Sequence, residues 1–239
     1  MIDMDYDSKL LEDIRSRLER VKEDINEAVI SAGRKPEEVT LIGVSKVFPV
    51  EYAEAAFSCG LKDLGENRVQ ELLTKLPELQ NRFQIHLIGR LQRNKVKQII
   101  GDVCMIQSVD SEPLAREIHN RALAAGRRMP VLVEISPAGE EQKGGVPFEE
   151  TEAFLKQIAP LEGIEVRGLM AVMPLTEDQD YLDGLFARTR GLFDRIRDKN
   201  LSGIAMEELS MGMSGDYRLA AAHGATMVRV GSAIFGPRG

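Results

Sequence analysis

Three stretches of this chain have the residue types and spacing to act together on one ligand. The first is Val44-Ser45-Lys46, closing the apolar run 40–46. In an extended segment alternate residues share a face, so Lys46 lies in phase with Ile42 and Val44. A lysine set among aliphatics is partly desolvated, which lowers its pKa and frees an amine that can condense with a carbonyl. The same spacing fits a lysine that snorkels from a strand end into water. The second stretch is Leu209-Ser210-Met211-Gly212-Met213-Ser214-Gly215-Asp216, and the third is Val228-Arg229-Val230-Gly231-Ser232. Each passes from an apolar run through Gly and Ser into a helical pattern. Backbone N–H groups and small hydroxyls at such a junction can cradle a phosphate. Ordinary turn chemistry, with Gly for positive φ and Ser or Asp for caps, uses the same residues. Arg229 is in phase with Met227 and Gly231, opposite Val228 and Val230. If the valines pack outward, the guanidinium points inward and needs an acceptor, because an unpaired buried charge is costly. Glu66, Glu134 or a bound ligand would serve.

Other residues add to this set. His86 reads either as a satisfied core histidine or as part of a pocket. Arg90, Arg93, Lys95 and Lys97 make a local basic cluster, which is either a solvated helix face or a funnel for an anion. Asn67 either caps the following helix or reaches the pocket. A reactive lysine, two Gly/Ser loops and an inward arginine together suit an aldehyde carrying a phosphate and a ring acceptor. Pyridoxal 5′-phosphate (PLP) meets all three demands.

The elements that must position these residues follow from periodicity. Residues 8–33 read as an amphipathic helix through Leu10, Leu11, Ile14, Leu18, Val21, Ile25, Val29 and Ile30, with Ser8 as N-cap and Gly33 as stop. Eight strand candidates then alternate with helical segments, at 40–46, 63–67, 84–89, 105–110, 130–136, 164–173, 206–213 and 226–236. Among the helices, one is expected from Arg68 to about Leu76. Such alternation implies parallel pairing. Eight units predict an α/β protein, a single (β/α)8 TIM barrel with an extra N-terminal helix, in one domain over 1–239. A doubly wound open sheet is the alternative, since periodicity does not show closure. In both architectures chemistry sits at the carboxyl ends of the strands.

Composition bounds the rest. A chain of 239 residues suits one barrel, which typically needs about 250. At 43% hydrophobic it is too apolar for a disordered chain. A net charge of −7 argues against a dedicated nucleic-acid surface. Cys59 and Cys104 form no CxxC pair, so no zinc or redox motif is expected, and apolar neighbours suggest buried thiols. No metal site is expected. The acidic N-terminus has no following apolar run, and no stretch approaches the ~18 apolar residues of a membrane span. A soluble, cytoplasmic protein is expected. The absence of an evident exposed apolar helix suggests a monomer.

The segments VSK, GENRVQE, HLIGRLQRNK, SVDS, GLM, LSMGMSGD and VRVGSAIFG occur in that order. Together they resemble the pyridoxal phosphate homeostasis family, which is similar to the N-terminal barrel of alanine racemase, a fold type III PLP barrel. The resemblance spans about residues 35–237. It implies that Lys46 carries PLP as a Schiff base. It implies that Ser210 or Ser214, with Gly231 and Ser232, holds the phosphate, and that Arg229 lies near the pyridine nitrogen. Asn67, His86 and the pair Asn94-Lys95 match the family's pocket region. Three positions depart from the usual pattern: Glu134 stands where Asn is common, Gly144-Gly145 where Lys-Ser-Gly or Lys-Gly-Gly is common, and Ser232 where Thr is frequent.

The resemblance further implies PLP homeostasis and delivery to PLP-dependent apoenzymes, without robust amino-acid catalysis. A guanidinium at the ring nitrogen keeps that nitrogen unprotonated, and such a ring is a poorer electron sink. Two-sided proton exchange also needs a second acid/base opposite Lys46. In alanine racemase this resembles a tyrosine from a C-terminal domain, which is not expected after an eighth unit closing near Gly239. Tyr217 is the only tyrosine beside an expected phosphate loop. An amino-acid racemase and a class I aldolase-like Schiff-base enzyme are the alternatives.

Overall fold

The computed structural model describes residues 4–139 and 144–237, with side chains from Ser8 onward. Residues 140–143, the first part of the variant loop before Gly144-Gly145, lie outside the described residues. The first helix, α1 (Met4–Ser31), begins one turn earlier than expected, so Ser8 lies inside it and is not its cap. Its stop is as expected: Gly33 has φ 71, and Arg34 N–H bonds back to Val29 O. The apolar stripe Ile14, Leu18, Val21, Ile25 and Val29 is buried.

The units that follow are β1 (Thr40–Val44), α2 (Val50–Ser58), β2 (Asp63–Glu66), α3 (Val69–Leu79), β3 (Gln84–Leu87), α4 (Val96–Ile99), β4 (Met105–Val109), α5 (Glu112–Ala124) and β5 (Met129–Ser136). A two-residue strand, β6 (Val146–Pro147), pairs with the end of β5. Then come α6 (Thr151–Ile158), β7 (Ile164–Ala171), α7 (Gln179–Asp198), β8 (Ile204–Ser210), α8 (Tyr217–Ala222), β9 (Met227–Val230) and α9 (Ser232–Phe235). Helix α3 runs past Pro77 to the fully buried Leu79, where the sequence suggested a stop at Leu76. A proline in a last turn removes only one backbone bond, and burial of Leu79 outweighs it.

All strand pairings are parallel, in the order β4-β3-β2-β1-β9-β8-β7-β5. The additional β4–β5 pairing, Ile106 on Val131 and Val109 on Val133, closes the ring. This excludes the open sheet and gives an eight-stranded parallel barrel. The strand faces divide as alternation requires. Ile42, Met105, Leu132, Met170 and Met227 pack together inside the barrel. Leu64, Val131, Val133, Val228 and Val230 join the larger core between sheet and helices. At about 25 cal/mol per Å² of apolar area this outer core supplies most of the driving force.

Helix α1 packs over α2, α8 and α9. It is tied down where Tyr217 Oη and Arg218 Nη1 donate to the Asp24 carboxylate at 2.5 and 2.6 Å. Among the described residues no helix is long and apolar enough to cross a membrane. Both cysteines are free and half-buried, less enclosed than expected, and burial pushes the Cys104 thiol up to about 12.

Candidate functional site

The polar residues inside the barrel form one chain. Arg229 on β9 is buried and points inward, as its phase requires. Its Nη1 donates to Ser210 Oγ at 2.6 Å and its Nη2 to the Ala171 carbonyl at 2.8 Å. Ser210 Oγ donates to Gln107 Oε1 at 2.7 Å. Gln107 Nε2 lies 3.1 Å from His86 Nδ1, and His86 Nε2 lies 3.1 Å from Asp63 Oδ1. An arginine can only donate and a carboxylate only accepts, and with Gln107 Oε1 accepting from Ser210 its amide Nε2 is left to donate to His86. Arg229 gives to Ser210, Ser210 to Gln107, Gln107 to His86, and His86 to Asp63. This order makes His86 the neutral Nε2–H tautomer.

His86 is therefore a satisfied core histidine beneath the mouth. Ser210 braces Arg229, and its hydroxyl is already committed at both lone pair and proton. Of the acceptors considered for Arg229, Glu66 faces the helix layer and does not meet it. Glu134 contributes through charge, as does Asp216. Burial pushes the guanidinium down to about 10.

Above this chain the two late Gly/Ser loops meet. Gly212 has φ 92, and a Cβ there would lie 2.4 Å from Ala220 Cβ, so only glycine lets the loop turn under α8. Ser214 Oγ accepts from Gly231 N–H at 3.0 Å and from Ala233 N–H at 3.4 Å. Ser232, at the start of α9, is exposed beside them. A Cβ on Gly231 would lie 3.2 Å from the Val44 carbonyl, which places the last loop directly against the end of β1. Two residues beyond Val44, the half-buried Lys46 stands at the same mouth. The end of β1 that leads into Lys46 thus meets the loops of Ser214, Gly231 and Ser232, which come from the far end of the chain.

The rest of the rim is charged. Asn67 does not cap α3, whose N-cap is Arg68. Its Oδ1 is buried without a hydrogen-bond partner, and Gly89 packs against its backbone. Asn67 borders an open cavity of about 1350 Å³ that also meets Arg68, Arg90, Arg93, Asn94 and Lys95. Arg90, Arg93 and Lys95 of the basic cluster therefore line a groove on the β2–β4 side of the mouth, whereas Lys97 does not border it. Glu134 lies on β5, four strands from β1 in either direction around the ring. Burial and the nearby Asp110 push its carboxyl up to about 7, against the pull of Arg229 and Arg90. Tyr217 turns its hydroxyl away from the mouth to Asp24, and burial pushes it up to about 12. It is not the second acid/base.

Two groups were missed in the sequence. Asp63 and Gln107 belong to the interior chain, and their signal was present: Asp63, His86 and Gln107 are polar residues in phase with the interior on three successive strands. Glu71 and Lys75 join Glu66, which the sequence offered only as an acceptor for Arg229, in a second network behind the wall. Lys75 Nζ donates to the Ser45 carbonyl at 2.9 Å, to Glu66 Oε1 at 3.0 Å and to Glu71 Oε1 at 2.8 Å. Its signal was a lysine on the apolar stripe of α3, between Leu72 and Leu79.

The donor set fits PLP: an amine, a pair of amides with a serine hydroxyl between them, an inward guanidinium and the orphaned Asn67 carbonyl. Residues 19–239 match the family of the alanine racemase N-terminal domain. The chain is 42% identical over 224 residues to the pyridoxal phosphate homeostasis protein of Aquifex aeolicus, covering 93% of this chain and 97% of the relative. A crystal structure of an unknown protein from Bifidobacterium adolescentis is similar with TM-score 0.91 and 35% identity, covering 98% of each chain. The structure of PipY from Synechococcus elongatus with PLP bound is similar with TM-score 0.78 and 34% identity, covering 89% of this chain and all of that one. The chain belongs to the pyridoxal phosphate homeostasis proteins, within the family of the alanine racemase N-terminal domain.

Proposed function

We propose that this chain is a single-domain PLP-binding protein that takes part in cytoplasmic PLP homeostasis and hands the cofactor to PLP-dependent apoenzymes. Lys46 holds the aldehyde carbon as a Schiff base. Ser214 with the Gly231 and Ala233 amides and Ser232 holds the phosphate. Arg229, braced by Ser210 and through it by Gln107 and His86, faces the ring nitrogen, and Asn67 offers its carbonyl at the rim. Bound PLP would supply an electrophilic carbon and an electron-accepting ring. The chain's own contribution is to hold both ends and keep a permanent donor at the ring nitrogen, which weakens the ring as an electron sink.

The observation that carries this reading is the contact of Gly231 with the Val44 carbonyl, which sets the phosphate loop beside the lysine strand. The relatives support it, since PipY is described with PLP bound. The test is Lys46→Ala, followed by absorbance and intact mass. The expected result is loss of the covalent adduct with the fold retained. An adduct that persists in full would overturn the assignment.

One feature favours a racemase-like second reading: Glu134 lies on β5, the strand opposite β1 in the ring, and burial pushes its carboxyl up to about 7. Solvent deuterium entering Cα of alanine at enzyme-like rates, and lost in Glu134→Gln, would establish it. Absence of exchange supports the carrier.

A further inference from the structure

The turn that carries Lys46 is held by a cluster that does not face the ligand. Val47, the next residue, has φ 64. This is the left-handed region, where side chains branched at Cβ are strained. Packing does not force it there, because Val47 is 64% exposed. Backbone contacts must therefore hold it. Val47 N–H donates to Glu71 Oε1 at 2.6 Å, and on the other side of Lys46 the Ser45 carbonyl accepts from Lys75 Nζ at 2.9 Å. Ser45 Oγ donates to Glu66 Oε1 at 2.5 Å. Lys75 bonds Glu66 and Glu71 with its remaining protons, so one ion cluster grips the peptide groups on both sides of Lys46.

Stability alone does not explain this cluster. Lys75 and Glu66 are buried, and the desolvation of a buried ion pair offsets most of its Coulomb gain. An apolar residue at position 75 would pack α3 on the sheet equally well. The Ser45 carbonyl also accepts from Phe48 N–H at 3.1 Å, the turn's own bond; what an apolar residue would not do is add a charged donor to that carbonyl and hold Glu71 against Val47 N–H.

We propose that Glu71 and Lys75, with Glu66, are positioning residues that hold the Lys46 turn in its strained form. In that form the lysine amine meets an aldehyde whose phosphate is seated at Ser214 and Gly231. The inference rests on Lys46 as the attachment residue.

The test uses the full chain and two ligands that separate the ends of the site: PLP, and pyridoxamine 5′-phosphate, which has the phosphate but no aldehyde. Glu71→Ala removes the acceptor for Val47 N–H, while Glu66 still pairs Lys75. It is expected to slow Schiff-base formation with PLP, followed by absorbance, at least tenfold. Affinity for pyridoxamine 5′-phosphate stays within about twofold. Glu71→Gln, which keeps an acceptor oxygen, restores most of the rate. Val47→Gly, which removes the strain, shrinks the Glu71→Ala effect to about threefold. Unchanged capture of PLP by Glu71→Ala, or an equal loss for both ligands, would overturn the proposal. Failure of the underlying reading looks different: Lys46→Ala would then keep its adduct.

Discussion

The polar chain inside the barrel and the ion cluster behind β1 lie a strand's thickness apart, on opposite faces of the sheet, and are built on different terms. Gly65 turns toward Ile42 in the interior, and its neighbour Glu66 turns outward to Lys75. The interior chain has charges only at its ends, Arg229 and Asp63, with neutral Ser210, Gln107 and His86 between them. Ser210 and His86 each donate once and accept once, and Gln107 accepts from Ser210 and donates to His86 and to Met227 Sδ. The outer cluster packs three charged side chains and a serine into one spot, where a single Lys75 serves three acceptors. Neutral links pass orientation over a long distance, from the mouth to the base of the barrel. Concentrated charge fixes one short stretch of backbone firmly. The inner arrangement suits a donor that must face a ring, and the outer one suits a lysine that must be aimed.

This contrast predicts unequal responses. Lys75→Met leaves Glu66 buried beside Glu71 without a cation, and should lower unfolding stability by about 4 kcal/mol. Adding Glu66→Gln removes the stranded charge and should recover most of that loss in denaturant unfolding. No recovery would mean that packing, and not charge, dominates the corner. Gln107→Leu is a neutral change, but it strands His86 Nδ1 and the Ser210 hydroxyl together. At the ordinary cost of unsatisfied buried groups it should lose about 3 kcal/mol, measured the same way.

Glu134 tests the rim between the two networks through pH. Its folded carboxyl titrates at about 7, above its ordinary 4.5, so between these values the folded state holds a proton that the unfolded chain has released. Stability should therefore fall as pH rises from about 4.5 to about 7, by about 3 kcal/mol at 1.36 kcal/mol per unit. Glu134→Gln should flatten that slope, and an unchanged slope would assign it to another group. Ser214→Ala should have the smallest effect, about a tenfold loss of affinity for pyridoxamine 5′-phosphate, or about 1.4 kcal/mol. Titration calorimetry reads it directly.

Much of this was legible in the sequence where the signal is local. Strand and helix alternation placed most barrel units to within a few residues, because apolar residues at period 2 and near 3.6 are imposed by the buried faces themselves; the stretch 226–236, read as one strand, is β9 followed by the helix α9, because Ala233, Ile234 and Phe235 form an apolar run too short to show its period. Gly212, Ser214, Gly231 and Arg229 were readable for the same reason, since a loop at a strand end makes its demands on adjacent residues. Closure was not readable, because β4 and β5 meet through pairing that no local pattern specifies. Ser8 misled because a good capping residue can lie inside a helix that starts earlier. Lys75 and Glu71 were missed because their meaning depends on Ser45 and Val47, a contact across 24 to 30 residues. Glu134 was visible as a departure from the family, but its proximity to Asp110 was not.

The central claim is that Lys46 is the residue that takes the aldehyde. Borohydride reduction of the protein loaded with PLP, followed by digestion and peptide mass measurement, tests it most directly. The account predicts a single phosphopyridoxyl label on Lys46. A label on Lys75, on Lys95 or on any other lysine, with Lys46 unmodified, would contradict it.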